Sequence, residues 1–268
     1  MIKTRILRVP RGAALTLTLL ALGCLPASAQ AAETVSLHTS FSPDRLGAST
    51  TIEFGFQIAS TTGGLPSPLT HVDLHMPRGM NYVSTTLGLA ICKPEALIAS
   101  GLKGCSPNSR LGYGSAFVKV PFGTDAGQEI PEIQALMGPP HDGNIVVLFY
   151  ANGLSPVYAQ IVFSGELLPG EGPFGGNLST NIPEIKSVTN GPPVSIISVN
   201  STIGPSHLTY YKRVHGKLVG YRPLGVSIPL KCPRGGFPFY AEFTFLDGSK
   251  VPARSDVPCP LGRRHRHK

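Results

Sequence analysis

Tryptophan is absent from all 268 residues. It offers the broadest flat apolar ring for stacking on sugars, so its absence weighs against carbohydrate recognition. Tyr82, Tyr113, Tyr221 and Tyr240 are the aromatic substitutes, and no pattern singles them out. Enzyme signatures are missing as well: there is no G-x-S-x-G, no H-E-x-x-H and no phosphate-cradling glycine loop. Gly112-Tyr113-Gly114-Ser115 sets a serine among glycines, but lacks the closing glycine and precedes a strand. Acid pairs such as Glu129 and Glu132 exist, yet a glycosidase needs two carboxylates about 5–10 Å apart across a cleft, and acids in turns are mostly solvated. After the first 32 residues no apolar run approaches the ~18 residues of a membrane helix, so no transmembrane segment is expected in the mature chain. Helix signals are scarce.

What is present begins with residues 1–32. Lys3, Arg5, Arg8 and Arg11 form a basic start, residues 13–25 are almost wholly apolar, and Ala27-Ser28-Ala29 and Ala29-Gln30-Ala31 supply small residues for a cut. This is the layout of a cleaved secretory signal peptide, and it leaves a mature chain of roughly 236 residues, one large or two small domains. A rival reading is a lipoprotein acylated at Cys24, in Ala21-Leu22-Gly23-Cys24; Gly23 suits that motif, whereas Ala21 and Leu22 do not. Either way the expected location is secreted or envelope-associated.

The formal charge of +8 is concentrated at the two ends of the chain. Four bases belong to the leader and four (Arg263, Arg264, Arg266, Lys268) to a basic tail, 261–268, read as disordered. The remaining 15 bases balance all 15 acids, which excludes a nucleic-acid-binding domain as the meaning of the high pI. Within the body, residues 33–200 carry 7 bases and 12 acids, and residues 201–262 carry 8 bases and 3 acids. The C-terminal third therefore favours anionic surfaces.

Cys92, Cys105, Cys232 and Cys259 remain after the leader. Four cysteines in an exported chain imply two disulfides with three possible connectivities. Local spacing favours Cys92–Cys105 and Cys232–Cys259. None of the spacings suits a structural zinc site.

The mature chain reads as strand after strand. Ile52, Phe54, Phe56 and Ile58 share one face; Val72, Leu74 and Met76 share another. Residues 144–150 (NIVVLFY) are apolar throughout, as in a central strand covered on both sides. Further strands are expected over 116–120, 130–136, 157–163, 194–199 and 208–214. Phe237, Phe239, Ala241, Phe243 and Phe245 form an apolar row ending at Asp247-Gly248, a two-residue hairpin turn that pairs positions summing to 495. Pro238 places that strand's start at an edge or bulge. One helix is expected, at Pro94-Glu95-Ala96-Leu97-Ile98-Ala99 before Gly101. The fold class is all-β: one or two Greek-key or immunoglobulin-like sandwich modules with one short helix. The Pro/Gly-rich stretch 169–176 is the best boundary, dividing the chain into modules 33–168 and 177–260.

Three side-chain groups invite functional readings. His71, Asp73 and His75 alternate on one strand, so they project from one face and have the chemistry of weak zinc or copper ligands. The plainer alternative is a solvated outer face, and no cofactor is expected. Tyr210-Tyr211-Lys212-Arg213-Val214-His215-Gly216-Lys217 is the densest basic and aromatic segment of the body. Lys212, Arg213 and Lys217, with the tail cations, are the expected contacts to an anionic cell-wall polymer or lipid surface. Alternation sends the two tyrosines to opposite faces, one of them into the core.

Several stretches together resemble a group of uncharacterised exported proteins of high-GC Gram-positive (actinobacterial) type. They are residues 35–48 (VSLHTSFSPDRLGA), Pro66-Ser67-Pro68-Leu69-Thr70, Pro77-Arg78-Gly79-Met80, Cys92-Lys93-Pro94-Glu95-Ala96-Leu97, residues 211–217 and residues 232–238 (CPRGGFP). The resemblance spans most of the mature chain and implies export and a β-rich fold, with no activity, ligand or site residue attached. The sequence thus leads to a non-catalytic envelope or extracellular binding or structural protein. An extracellular hydrolase of polysaccharide or wall polymer is the alternative.

Overall fold

A computed structural model describes residues 33–80, 87–122, 125–155, 158–186 and 190–260. The expected leader, the basic tail, Tyr82 and Val157 lie outside the described residues. The described residues form one compact unit. Its elements are β1 (Glu33–Ser42), β2 (Ser49–Ser60), β3 (Leu69–Pro77), α1 (Pro94–Ser100), β4 (Arg110–Phe122), β5 (Asp125–Glu129), β6 (Glu132–Met137) and β7 (Ile145–Gly153). There follow β8 (Ala159–Pro169), β9 (Phe174–Asn181), β10 (Ser195–Ile203), β11 (Tyr210–Val214), β12 (Lys217–Tyr221), β13 (Val226–Ser227), β14 (Phe237–Phe245) and β15 (Lys250–Val257).

The all-β class with one short helix holds, but the sheets are not stacked as a sandwich. A single 13-stranded sheet runs β1-β2-β10-β4-β6-β7-β8-β9-β3-β14-β15, with β5 and β13 as side pairings. Its two ends meet. The Thr39 amide and hydroxyl both donate to Ser255 Oγ, at 3.1 and 2.8 Å, and Ser249 Oγ donates to Glu33 Oε2 at 3.2 Å. Both links join positions 216 apart in sequence, so β1 and β15 run side by side in the same direction. Parity requires this: every neighbour along the path is antiparallel, and an odd number of strands must then close on a parallel seam.

Strands from 33–168 and 177–260 alternate around the wall. β10 sits between β2 and β4, and β3 sits between β9 and β14. The stretch 169–176 is a tight connection from β8 to its neighbour β9, turned by the Phe174 amide on the Glu171 carbonyl at 3.0 Å. It is therefore a hairpin and not a module boundary. Gly and Pro serve a sharp reversal as well as they serve a linker.

The apolar row on β14 is buried as expected: Phe237, Phe239, Ala241, Phe243 and Phe245 are all 2% exposed or less. Each phenyl ring so buried contributes about 1.5–3 kcal/mol. Its hairpin differs from the expectation by one residue. Tyr240 faces Arg254 and Thr244 faces Lys250, so paired positions sum to 494. The Gly248 amide bonds the Phe245 carbonyl at 2.9 Å and Gly248 has φ +85°, which makes a three-residue connection in place of two. The shift matters because register sets the buried face. It turns Val251, Ala253 and Val257 inward, where the other register would have turned Pro252 and Arg254. Pro238 pairs only with β15, before β3 joins β14 at Tyr240, so its missing amide costs no ladder bond there.

β7 is covered on both faces. Val147 and Phe149 point inward, while Leu148 and Tyr150 meet α1 through fully buried Leu97. The two disulfides are Cys92–Cys105, which closes the helical loop, and Cys232–Cys259, at the base of the β14–β15 hairpin.

Candidate functional site

The barrel has two unlike ends. The upper end is where β1 finishes and β2 begins; it carries α1, the segment between β10 and β14, and the exit of β15. The lower end carries the described connecting residues 61–68, 130–131, 154–155, 158, 182–186, 190–194 and 246–249, together with the start of β5. Of the body cations, only Lys119, Lys186 and Lys250 belong to the lower end, beside Glu33, Asp125, Glu129, Glu132, Glu184 and Asp247. Arg254 is mid-wall and every other body cation is at the upper end, which the sequence's C-terminal gradient only partly revealed.

The upper end projects a hairpin. β11 and β12 pair as a separate two-stranded sheet, and residues 211–220 are all exposed. The turn is His215-Gly216, both at positive φ (48° and 77°), as a tight hairpin of right-handed twist demands. Register places Lys212, Val214, Lys217 and Val219 on one face, and Tyr211, Arg213 and Leu218 on the other. The three hairpin cations expected to contact polyanions thus share one hairpin but not one face: Lys212 and Lys217 lie beside exposed Val214 and Val219, and Arg213 beside exposed Leu218. Lys212 Nζ lies 5.3 Å from the Tyr221 ring centre.

The base of the hairpin is fixed. Tyr210 is fully buried; its hydroxyl donates to the Arg110 carbonyl and accepts from the Gly88 amide at 2.8 Å. Burial pushes its phenol above the usual value, so it stays neutral. Tyr211 points out, and Asn108 bonds both its amide and its carbonyl at 2.8 Å. The expected division of the two tyrosines is therefore present.

His71, Asp73 and His75 lie on the outer face of β3, with Val72, Leu74 and Met76 inward. His71 Nε2 is 3.0 Å from Asp73 Oδ2, and His71 Nδ1 is 2.8 Å from Asn181 Oδ1. His75 instead packs against Phe174 and Tyr240, with ring centres 5.3 and 5.5 Å away. Burial alone would raise the Asp73 carboxyl, but bonds from Ser179 and Asn177 and the nearby His71 outweigh it and hold the group below the ordinary aspartate value. Among the described residues no group of three or more His, Cys, Asp or Glu converges as a metal site requires.

The other candidates disperse. Glu129 is buried and accepts from the Ser155 amide at 3.1 Å, whereas Glu132 is exposed. Tyr113 packs edge-on to His207, Tyr221 edge-on to Tyr210, and Tyr240 tilts against His75, so they form no common stacking platform.

The feature that the sequence did not disclose is the lumen. Inward side chains from nine of the barrel strands line an apolar cavity of about 250 Å³. Barrel diameter grows with strand number, and about eight strands already give an interior that side chains just fill. Eleven leave a remainder. At about 24 cal/mol per Å³ an unfilled void of this size costs on the order of several kcal/mol, comparable with the net stability of about 5–15 kcal/mol of a typical domain.

Comparison with family models, with curated proteins and with solved structures finds no match. The functional reading therefore rests on this chain's own residues.

Proposed function

We propose that this is an exported, non-catalytic binding protein of the cell envelope or its surroundings, held to anionic wall polymer or lipid by its upper end. The observation that carries the reading is the exposed hairpin that gathers Lys212, Arg213 and Lys217 at the end where most body cations collect. β15 finishes at that same end, so the basic run at 261–268 continues from it in sequence. Residues 1–32 act in this reading as the cleaved leader, and two disulfides suit an oxidising compartment. No described helix is long and apolar enough to cross a membrane; in this reading the attachment is electrostatic.

The test is co-sedimentation of the mature chain with walls of a high-GC Gram-positive bacterium, the source its resemblance implies, across a salt series. Two variants are compared: one ending at Gly262, and one with Lys212→Gln, Arg213→Gln and Lys217→Gln. Exposed charges are screened over about 3 Å at 1 M salt against about 10 Å at 0.1 M, so binding is expected to fall steeply with salt and with each variant. Binding indifferent to salt and to both variants refutes the electrostatic attachment.

A further inference from the structure

We propose that the barrel lumen is a binding site for one unbranched hydrocarbon chain, the acyl portion of a lipid. The proposal goes beyond the charge-based reading and does not depend on it.

Three observations converge. First, the lining is hydrocarbon and aromatic all round, with Phe54, Leu74, Phe149, Phe163, Leu178 and Val199 contributed by six different strands. Of these, Phe54, Phe149, Phe163, Leu178 and Val199 point into the barrel and yet remain only half-buried, because the space before them is unfilled. A packed core of the same residues would leave no such surface.

Second, hydroxyls at the wall are few (Tyr113, Thr180, Ser201 and Thr202), and two of them are engaged by the backbone. Ser201 Oγ donates to the Phe54 carbonyl at 3.3 Å, and Thr202 Oγ1 to the Tyr113 carbonyl at 3.2 Å. Among the described residues no charged side chain lines the cavity. Water needs two to four polar partners and about 10–15 Å³ each; the room is present, and the partners are few for a wall of this size. A sugar, nucleotide or peptide would lose its own hydrogen bonds here. A hydrocarbon chain loses none and gains the dispersion contacts that the lining lacks.

Third, both ends of the lumen are closed by apolar side chains, and one of them is also apolar outside. The upper end is stoppered by buried Leu87, Leu208 and Tyr210 packed on Leu111 and Met137. The lower end is packed by buried Val118, Val120 and Val194 against Ile133, Ile185 and Ile196, and its rim exposes Phe122, Ile130, Leu154 and Tyr158, an apolar surface that a lipid tail meets first while its head stays outside.

Because the chain has no tryptophan, a single introduced indole reports its own surroundings. Phe149→Trp and, separately, Phe163→Trp place it in the lumen, where the two rings stack at 5.2 Å. Ile98→Trp places it on the exposed face of α1. Each protein is delipidated, checked by circular dichroism and titrated with 11-bromoundecanoic acid, whose chain length matches a lumen of about 250 Å³ and whose terminal bromine quenches tryptophan on contact, and with unbrominated undecanoic acid. The expected result is saturable quenching of either lumen tryptophan at one probe per chain, unchanged in high salt, with none at position 98 and none from undecanoic acid. Two lumen positions keep the test decisive if one variant fails to fold. Absent quenching at the lumen positions, or equal quenching at all three, overturns the proposal.

Discussion

Thr39 of the first strand hands both its amide and its hydroxyl proton to Ser255 of the last, and this pair bridges the seam of the barrel. Ser255→Ala leaves the Thr39 amide without an acceptor. Such a part-buried orphan costs about 1–3 kcal/mol, read as a lower midpoint in urea denaturation. Thr39→Val removes one of the two bonds and is expected to cost less. A midpoint unchanged in both variants would show that the seam is held by packing alone.

Tyr210 and Tyr211 make a second pair of opposites. Tyr210→Phe removes one hydroxyl that serves both the Gly88 amide and the Arg110 carbonyl, with an expected loss of about 1–3 kcal/mol. Tyr211→Ala, at an exposed site whose bonds are all main-chain, is expected to stay within about 0.5 kcal/mol. Thermal melts of the two variants distinguish a fixed hairpin base from a mobile one.

Acid sensitivity follows from Asp73. Its folded pKa lies below the ordinary value of 3.8. The stabilisation it confers is complete above that ordinary value and is lost as pH falls through the lower folded one. Asp73→Asn is therefore expected to flatten the dependence of denaturation midpoint on pH below about pH 4, while leaving the slope above neutrality unchanged. The measurement is a urea series across pH; an unaltered acid limb would assign the slope to other carboxylates.

The Cys92–Cys105 bridge and Leu97 act on one loop. Closing a loop of this length contributes about 3 kcal/mol on the chain-entropy account, and Leu97→Ala removes a fully buried side chain at a cost of about 2–5 kcal/mol. They share a segment, so the combined variant is expected to depart from additivity. Calorimetry of the two single changes and the combined one measures the coupling.

Legibility in the sequence tracked how local each determinant was. The row from Phe237 to Phe245, the cysteine pairs and the helix after Lys93 are written in neighbouring residues, and all are present. β9, with Gly175 and Gly176, has the composition of a loop; it is a strand because β3 and β8 flank it. β5 and β1 were equally silent. The hairpin register turned on whether Gly248 ends a three-residue connection, which composition does not distinguish from two. Among site residues, Lys212, Arg213 and Lys217 stood out because charge clusters in the chain. The lumen did not, because Phe149 facing empty space and Phe243 facing a packed neighbour obey the same alternation.

The seam carries a consequence for how these molecules treat one another. A sheet of this width laid open would present two raw borders, each with unpaired amides and carbonyls able to recruit a strand from another copy. Here the borders face each other across Thr39 and Ser255, side by side and without a continuous main-chain ladder. The barrel thus hides both of its sticky margins by turning them inward on itself, and concentrated solutions are protected from fibrous growth for as long as that contact stays shut.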